Sequence, residues 1–181
     1  MSSTNPRPYE STSARKVAFL GLGVMGFPMA GHLCMATLHA NSANQALDRV
    51  INFFPEERRA QLLMDLSLNL KAFVSQRLVP KQDGKGRGAA VEIMLNTPLV
   101  SDMIFKGEVS EIKEIMKKSR NLGMQTFDQA LFDMYEHNVI TYEDALRNAD
   151  SVNDLRLQIK LNSQRAKSSD LAAGTEHFAI V

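Results

Sequence analysis

The sequence predicts an α/β fold in which a small, incomplete sheet precedes a mostly helical C-terminal region. Short β-branched and aromatic runs, within residues 16–26 and 77–95, lead into or surround clusters of glycine, as strands and their turns do. Beyond residue 97, apolar residues recur every three or four positions, which is the period of a helix. Strands are therefore expected in the first part of the chain and helices alone in the last part.

Capping and turn residues predict where the elements begin and end. Asn41 or Ser42 can cap a first helix that Pro55 ends. Residues 55–78 are predicted to form the clearest helix of the chain, with one apolar stripe that continues to Val74. Further helices are predicted at 98–107, at 108–123, on both sides of a turn at His137-Asn138 within 125–149, and at 151–161, and Asp83-Gly84 predicts the turn of a hairpin.

The composition is that of an ordinary soluble protein. Of 181 residues, 44% are apolar and 23% charged, and the net charge of +1 leaves no strongly basic field for a nucleic-acid partner. Cys34 has no second cysteine, which excludes a disulfide framework and a thiolate metal site, and a reduced cytoplasm fits best. His32 interrupts the first apolar run well before the roughly 20 residues that a membrane span needs.

The first motif is a glycine loop, in which Gly21, Gly23 and Gly26 have the G-x-G-x-x-G spacing that holds a pyrophosphate at a helix N-terminus. Residues 16–33, with VAFLGLGVMGFPMAGHL, resemble the start of the β-hydroxyacid dehydrogenase family, which implies NAD(P) as a cofactor. The following residues depart from that family, because Asp48, at the spacing of a ribose-binding acid, lies in a predicted helix and not at the end of a strand.

A second resemblance covers residues 31–161 and includes the strings TLHANSA, GMQTFDQAL and EDALRNADS. This region resembles the C-terminal part of type IV pilus retraction motor ATPases of the PilT and PilU kind. The resemblance implies an incomplete RecA-like nucleotide-binding sheet, ATP with Mg as cofactor, and a role in twitching motility. It also implies hexameric motor subunits and the inner-membrane pilus platform as partners, at the cytoplasmic face of the membrane. In that family GHLCMATLHANSA is the His box, so His32 and His39 are expected to approach the nucleotide phosphates.

The chain lacks the phosphate-binding string that such a motor needs. G-x-x-x-x-G-K-[ST] does not occur, nor does an acidic Walker B strand, so we expect a truncated or chimeric module without ATP turnover of its own.

A strand at 17–20, a short helix at 25–30 and a strand at 32–38 are expected to form a parallel crossover. The predicted organisation is a disordered leader at 1–15, a Rossmann-like start at 16–33, the motor region at 31–161 and a polar tail at 162–181. An NAD(P)-binding fragment and a ligand-free helical interaction module remain the alternatives.

Overall fold

A four-stranded antiparallel sheet organises the first part of the protein. The computed structural model describes residues 17–22 and 35–166, with side chains from residue 36 onward. The strands lie in the order β2-β1-β3-β4, and every pairing is antiparallel. The predicted leader and most of the predicted tail lie outside the described residues. The strands are β1 (Val17–Leu22), β2 (Met35–His39), β3 (Leu70–Pro80) and β4 (Arg87–Leu95).

The pairing of β1 with β2 corrects the expected parallel crossover. Val17 lies opposite His39 and Gly21 opposite Met35, so the two strands run in opposite directions. Antiparallel neighbours only require the chain to reverse, whereas a parallel pair requires a connection that carries the chain back along the sheet. The predicted parallel strand-helix-strand unit is therefore wrong, and the helix expected at 25–30 lies outside the described residues.

The helices begin and end mostly where the local sequence predicts. The side chain of Ser42 caps the first helix, and that of Thr141 caps the sixth. Gly107 ends the third with a left-handed φ of 77°. None of the described helices is long and apolar enough to cross a lipid bilayer. The helices are α1 (Ala43–Asn52), α2 (Arg59–Asn69), α3 (Pro98–Lys106), α4 (Ile112–Lys118), α5 (Phe127–Glu136), α6 (Tyr142–Asn148) and α7 (Val152–Asn162).

The predicted helix at 55–78 is the second correction. Residues 56–58 form a 3₁₀ turn, α2 ends at Asn69, and the chain continues directly as β3. From Leu70 onward the chain pairs with β1 on one side and β4 on the other. These hydrogen bonds to distant strands outweigh the helical period of the leucines, since strand formation depends more on tertiary context than on local preference.

Two hydrophobic cores lie along one face of the β3–β4 hairpin. The first packs Phe73 and Met94 against α1 to α4, and the second packs Val79 and Ala90 against α5 to α7. Between these apolar pairs the same face carries Ser75, Arg77 and Glu92, because side chains on one face of a strand recur every second residue. The boundary between the two cores is therefore polar.

Candidate functional site

The segment that carries His39 connects the edge strand to the first long helix. His39 ends β2 with its side chain exposed, Ala40 is buried, and α1 begins at Ala43. The Ser42 hydroxyl accepts a hydrogen bond from the Gln45 N–H at 3.3 Å, which caps the helix. His39 thus precedes the N-cap of α1 by three residues along the chain, and the N-terminal end of a helix dipole favours an anion.

Glu92 of β4 binds the first residue of α1 through its buried side chain. Its side chain is 1% exposed, and its Oε1 accepts a hydrogen bond from the Ala43 N–H at 2.7 Å. Burial raises the pKa of Glu92 to about 7, although the hydrogen bond from Ala43 acts in the opposite direction. The carboxyl group at the start of this helix is therefore poised to change charge near neutral pH.

Arg77 connects the same segment to the C-terminal helices. One terminal nitrogen donates to the Asn41 carbonyl at 3.1 Å and pairs with Asp150 Oδ1 at 2.5 Å, and the other donates to the Asn148 carbonyl at 2.9 Å. The guanidinium lies over the Phe127 ring, 3.8 Å from its centroid. A single side chain thus contacts the backbone just after β2 and the junction between α6 and α7.

Two further carboxylates complete the polar boundary. Asp150 also pairs with Lys113 Nζ at 2.6 Å, and although burial opposes ionisation, Lys113 and Arg77 together lower the pKa of Asp150. Asp128 accepts the backbone N–H groups of Asp150 at 2.8 Å and Ser151 at 3.2 Å, while burial raises its pKa. We call Arg77, Glu92, Lys113, Asp128 and Asp150 the boundary cluster.

A cavity of about 300 Å³ opens between α4, α5 and α7, and Asp128 of the boundary cluster is one of its lining residues. Its cation, Lys117, is already paired with Glu114 at 2.7 Å and with Asp154 at 3.6 Å. This pairing makes the cavity a poor receptor for a phosphate, and His39 does not line it. The lining residues are Lys117, Thr126, Asp128, Gln129, Asp154 and Gln158.

The described residues fit a phosphate contact better than they fit a magnesium site. An imidazole beside a capped helix N-terminus can donate to a phosphate oxygen. Within residues 17–22 and 35–166, however, no group of three or more His, Cys, Asp and Glu side chains is placed to hold a metal ion.

The structure places only some of the residues expected from the sequence. His39 lies at the end of β2, and Gly21 lies in the ladder of β1 opposite Met35, while His32, Gly23 and Gly26 lie outside the described residues.

The boundary cluster was not predicted from the sequence. The sequence signal that could have revealed it is the presence of polar residues at strand positions where the alternating pattern would place buried apolar residues. Ser75 and Arg77 fall in phase with buried Phe73 and Val79, and Glu92 falls in phase with buried Ala90 and Met94. Charged residues at inward positions of a strand indicate a buried polar site.

Comparison with known proteins gives a consistent assignment. Residues 27–121 match the family model described as "Type II/IV secretion system protein". The chain is 64% identical over 140 residues to the type IV pilus ATPase PilU of Pseudomonas aeruginosa, covering 77% of this chain and 37% of PilU. It is 38% identical over 119 residues to PilT of the same organism, covering 66% of this chain and 34% of PilT.

A solved structure agrees with these sequence matches. The crystal structure of the pilus retraction motor PilT with bound ADP superposes with a TM-score of 0.58 at 29% identity, covering 66% of this chain and 33% of that one. The Legionella pneumophila ATPase DotB, at 21% identity and a TM-score of 0.50, covers 60% of this chain and 29% of that one and shares the fold. The chain therefore spans about a third of the length of the relatives it matches.

Proposed function

The chain belongs to the type II/IV secretion system protein family, as a PilU-like C-terminal region of a type IV pilus retraction ATPase, and on this premise we propose that it acts in pilus retraction. In this proposal it works as a module that associates with hexameric motor subunits during twitching motility. The observation that carries the proposal is the 64% identity to PilU over 140 residues. Identity at this level favours a shared surface and shared partners as well as a shared fold.

We further propose that His39, with His32, contacts the phosphates of a nucleotide in the assembled motor. The exposed position of His39 and the capped start of α1 behind it support this role. The bound ADP in the PilT structure makes an adenine nucleotide the first ligand to test. One hydrogen bond to a charged group is worth about 1.5–3 kcal/mol, which corresponds to about tenfold or more in affinity.

The module is proposed to have no ATP turnover of its own. No G-x-x-x-x-G-K-[ST] string occurs in its 181 residues, so the groups that hold the β- and γ-phosphates and Mg²⁺ would come from intact subunits. We propose that the module acts at the cytoplasmic face of the inner membrane, beside the pilus platform. The NAD(P) alternative gains no support from the fold, because a dinucleotide loop of this type lies in a strand-helix-strand unit whose two strands are parallel, and β1 and β2 are antiparallel.

A binding and turnover experiment tests this function. The purified full-length chain is titrated with a fluorescent non-hydrolysable ATP analogue and with NADPH, alone and mixed with intact PilU. We expect analogue binding in the mixture, no hydrolysis by the chain alone, and a change in the ATPase rate of PilU as the chain is added. Relative to PilU alone, the additional analogue binding of the mixture should be about tenfold weaker with His39→Ala, consistent with one lost charged hydrogen bond.

His137→Ala is the matched control, because His137 is also exposed but lies at the turn between α5 and α6. It should bind the analogue as the unaltered chain does. Magnesium-dependent ATP hydrolysis by the chain alone would refute the absence of turnover. Stabilisation by NADPH without any effect of the ATP analogue would favour the dehydrogenase-like alternative.

A further inference from the structure

We propose that Arg77 and Glu92 are positioning residues that fix the segment carrying His39, and that Asp150 transmits the placement of the C-terminal helices to this segment through Arg77. The inference rests on the nucleotide contact proposed for His39. It adds residues outside the His box that fix the position of the His39 imidazole through the backbone.

Two contacts hold the backbone on either side of the helix cap. Arg77 donates to the Asn41 carbonyl at 3.1 Å, and Glu92 accepts the Ala43 N–H at 2.7 Å, so the two contacts flank Ser42. Both side chains project from the same face of the β3–β4 hairpin, where Ser75 lies opposite Glu92 and Arg77 opposite Ala90. A rigid two-stranded platform therefore fixes the chain two and four residues after His39.

The same guanidinium ties this platform to the last two helices. Arg77 reaches the Asn148 carbonyl and Asp150, and Asp150 in turn pairs with Lys113 of α4. The ring of Phe127 lies against the guanidinium and restricts its plane. A movement of the α6–α7 junction would therefore shift Arg77 and, with it, the Asn41 carbonyl. Lysine cannot replace this arrangement, because an ammonium group lacks the planar fork that addresses several acceptors at once.

Stability alone does not account for this cluster. Buried ion pairs often contribute no more than well-packed apolar residues of the same volume, because both charges must lose their water. Ser75 Oγ and Arg77 Nε are also buried without a hydrogen-bond partner among the described residues, which costs further free energy. This polar cluster lies between two hydrophobic cores in spite of the desolvation free energy that its burial requires. A role in positioning the segments that it contacts accounts for it better than a role in stability.

Amide hydrogen exchange of the full-length chain tests the coupling directly. Arg77→Lys should raise the exchange rates of the amides at 41–45 about tenfold, since it removes a charged hydrogen bond to this segment. Asp150→Asn should raise them as well, although the ion-pair partners of Asp150 are Arg77 and Lys113 and not the segment itself. In the double variant the effect of Asp150→Asn should disappear, because its route through Arg77 is already broken.

Arg165→Lys is the matched control. Arg165 also lies over an aromatic ring, that of Tyr135 at 4.4 Å. It donates to the carbonyls of Tyr135 and Ile140 and to Gln82 Oε1 in the β3–β4 turn, and none of these partners belongs to residues 41–45. It should leave the amides at 41–45 unchanged. Unaltered exchange there in Asp150→Asn, or an equal increase in Arg165→Lys, would overturn the proposal. If Arg77→Lys fails to fold, Asp150→Asn alone still decides the question.

A nucleotide-binding measurement separates this inference from the proposed function. Arg77→Lys and Glu92→Ala each remove a hydrogen bond to residues 41–43, so each should weaken binding of the ATP analogue by the mixture with PilU about tenfold while the helix content by circular dichroism is kept. Glu136→Ala, which removes the acceptor of the Gln164 and Arg165 N–H groups, should not. If the mixture of the unaltered chain with PilU binds the analogue no better than PilU alone, the proposed nucleotide contact fails and amide exchange still tests the positioning. If binding occurs but exchange at 41–45 is unaffected, the positioning role alone fails.

Discussion

Glu92 is a carboxyl group that folding moves from water to the boundary between two cores, and this transfer links stability to pH. Its pKa rises from 4.5 to about 7, mainly because burial disfavours the charged form. Between these two values the folded protein keeps a proton that the unfolded chain has lost. The contribution of Glu92 is therefore fully present below pH 4.5 and is lost as the pH rises through 7, an effect of about 3 kcal/mol. Arg77, Lys113 and Asp150 also act on this carboxyl group.

Glu92→Gln should flatten this pH dependence, since glutamine has the same shape and no proton to lose. We expect the free energy of unfolding of the unaltered chain to fall by about 2–3 kcal/mol between pH 5 and pH 8, with a contribution of the same sign from Asp128, and that of the variant to fall much less. Urea unfolding followed by circular dichroism measures both. In Glu136→Gln the slope should persist, because hydrogen bonds from Ser163, Arg165 and Gln164 outweigh burial and lower the pKa of Glu136. An unchanged slope in Glu92→Gln would show that other groups control the titration.

The site could be predicted from the sequence only where its chemistry is local. His39 belongs to a continuous string that resembles a known family, and Ser42 is a cap that the sequence itself indicates. Arg77 and Glu92 give no such indication, since each is an ordinary charged residue of a strand. Their role depends on contacts 36 and 49 residues away along the chain, and these exist only once β3, β4 and α1 have packed together.

Among the elements, the helix ends were predictable and the transition from α2 to β3 was not. Thr141 and Gly107 act within one helical turn, so their neighbours in sequence are sufficient to identify them. The apolar residues from 62 to 74 fit a helical stripe, yet those after Asn69 belong to a strand. The deciding interactions are the ladders to β1 and β4, and a short apolar run cannot indicate these by its period.

The end of α3 offers a test of local backbone chemistry. Gly107 has a φ of 77°, and a Cβ built there would meet Leu63 Cδ1 at an ordinary 3.6 Å, so conformation and not space limits substitution. Gly107→Ala should lower the free energy of unfolding by about 1 kcal/mol. Gly107→Asn should cost less, because asparagine tolerates the left-handed region better than alanine. Thermal or urea unfolding compares the two, and equal losses would point to a steric cause instead.

At the scale of the whole molecule, the hairpin runs through two hydrophobic cores with the boundary cluster between them. Phe73 and Met94 belong to the first core and Val79 and Ala90 to the second. Apolar contact along this face is interrupted where Arg77 and Glu92 lie. The cores are therefore coupled by the strands and by directional polar contacts, which respond to geometry and pH in a way that continuous apolar packing does not.

This division predicts that each core can be loosened separately. Ile104 in α3 is fully buried in the first core, and Ile159 in α7 is 2% exposed in the second. Replacing either isoleucine by alanine should cost about 2–4 kcal/mol, since both leave a cavity of similar size. Hydrogen exchange should then accelerate mainly in α1 to α4 for Ile104→Ala and mainly in α5 to α7 for Ile159→Ala. Each variant is the control for the other. An equal acceleration of both regions in both variants would mean that the two cores unfold as one unit, and that the boundary cluster joins them as firmly as apolar packing would.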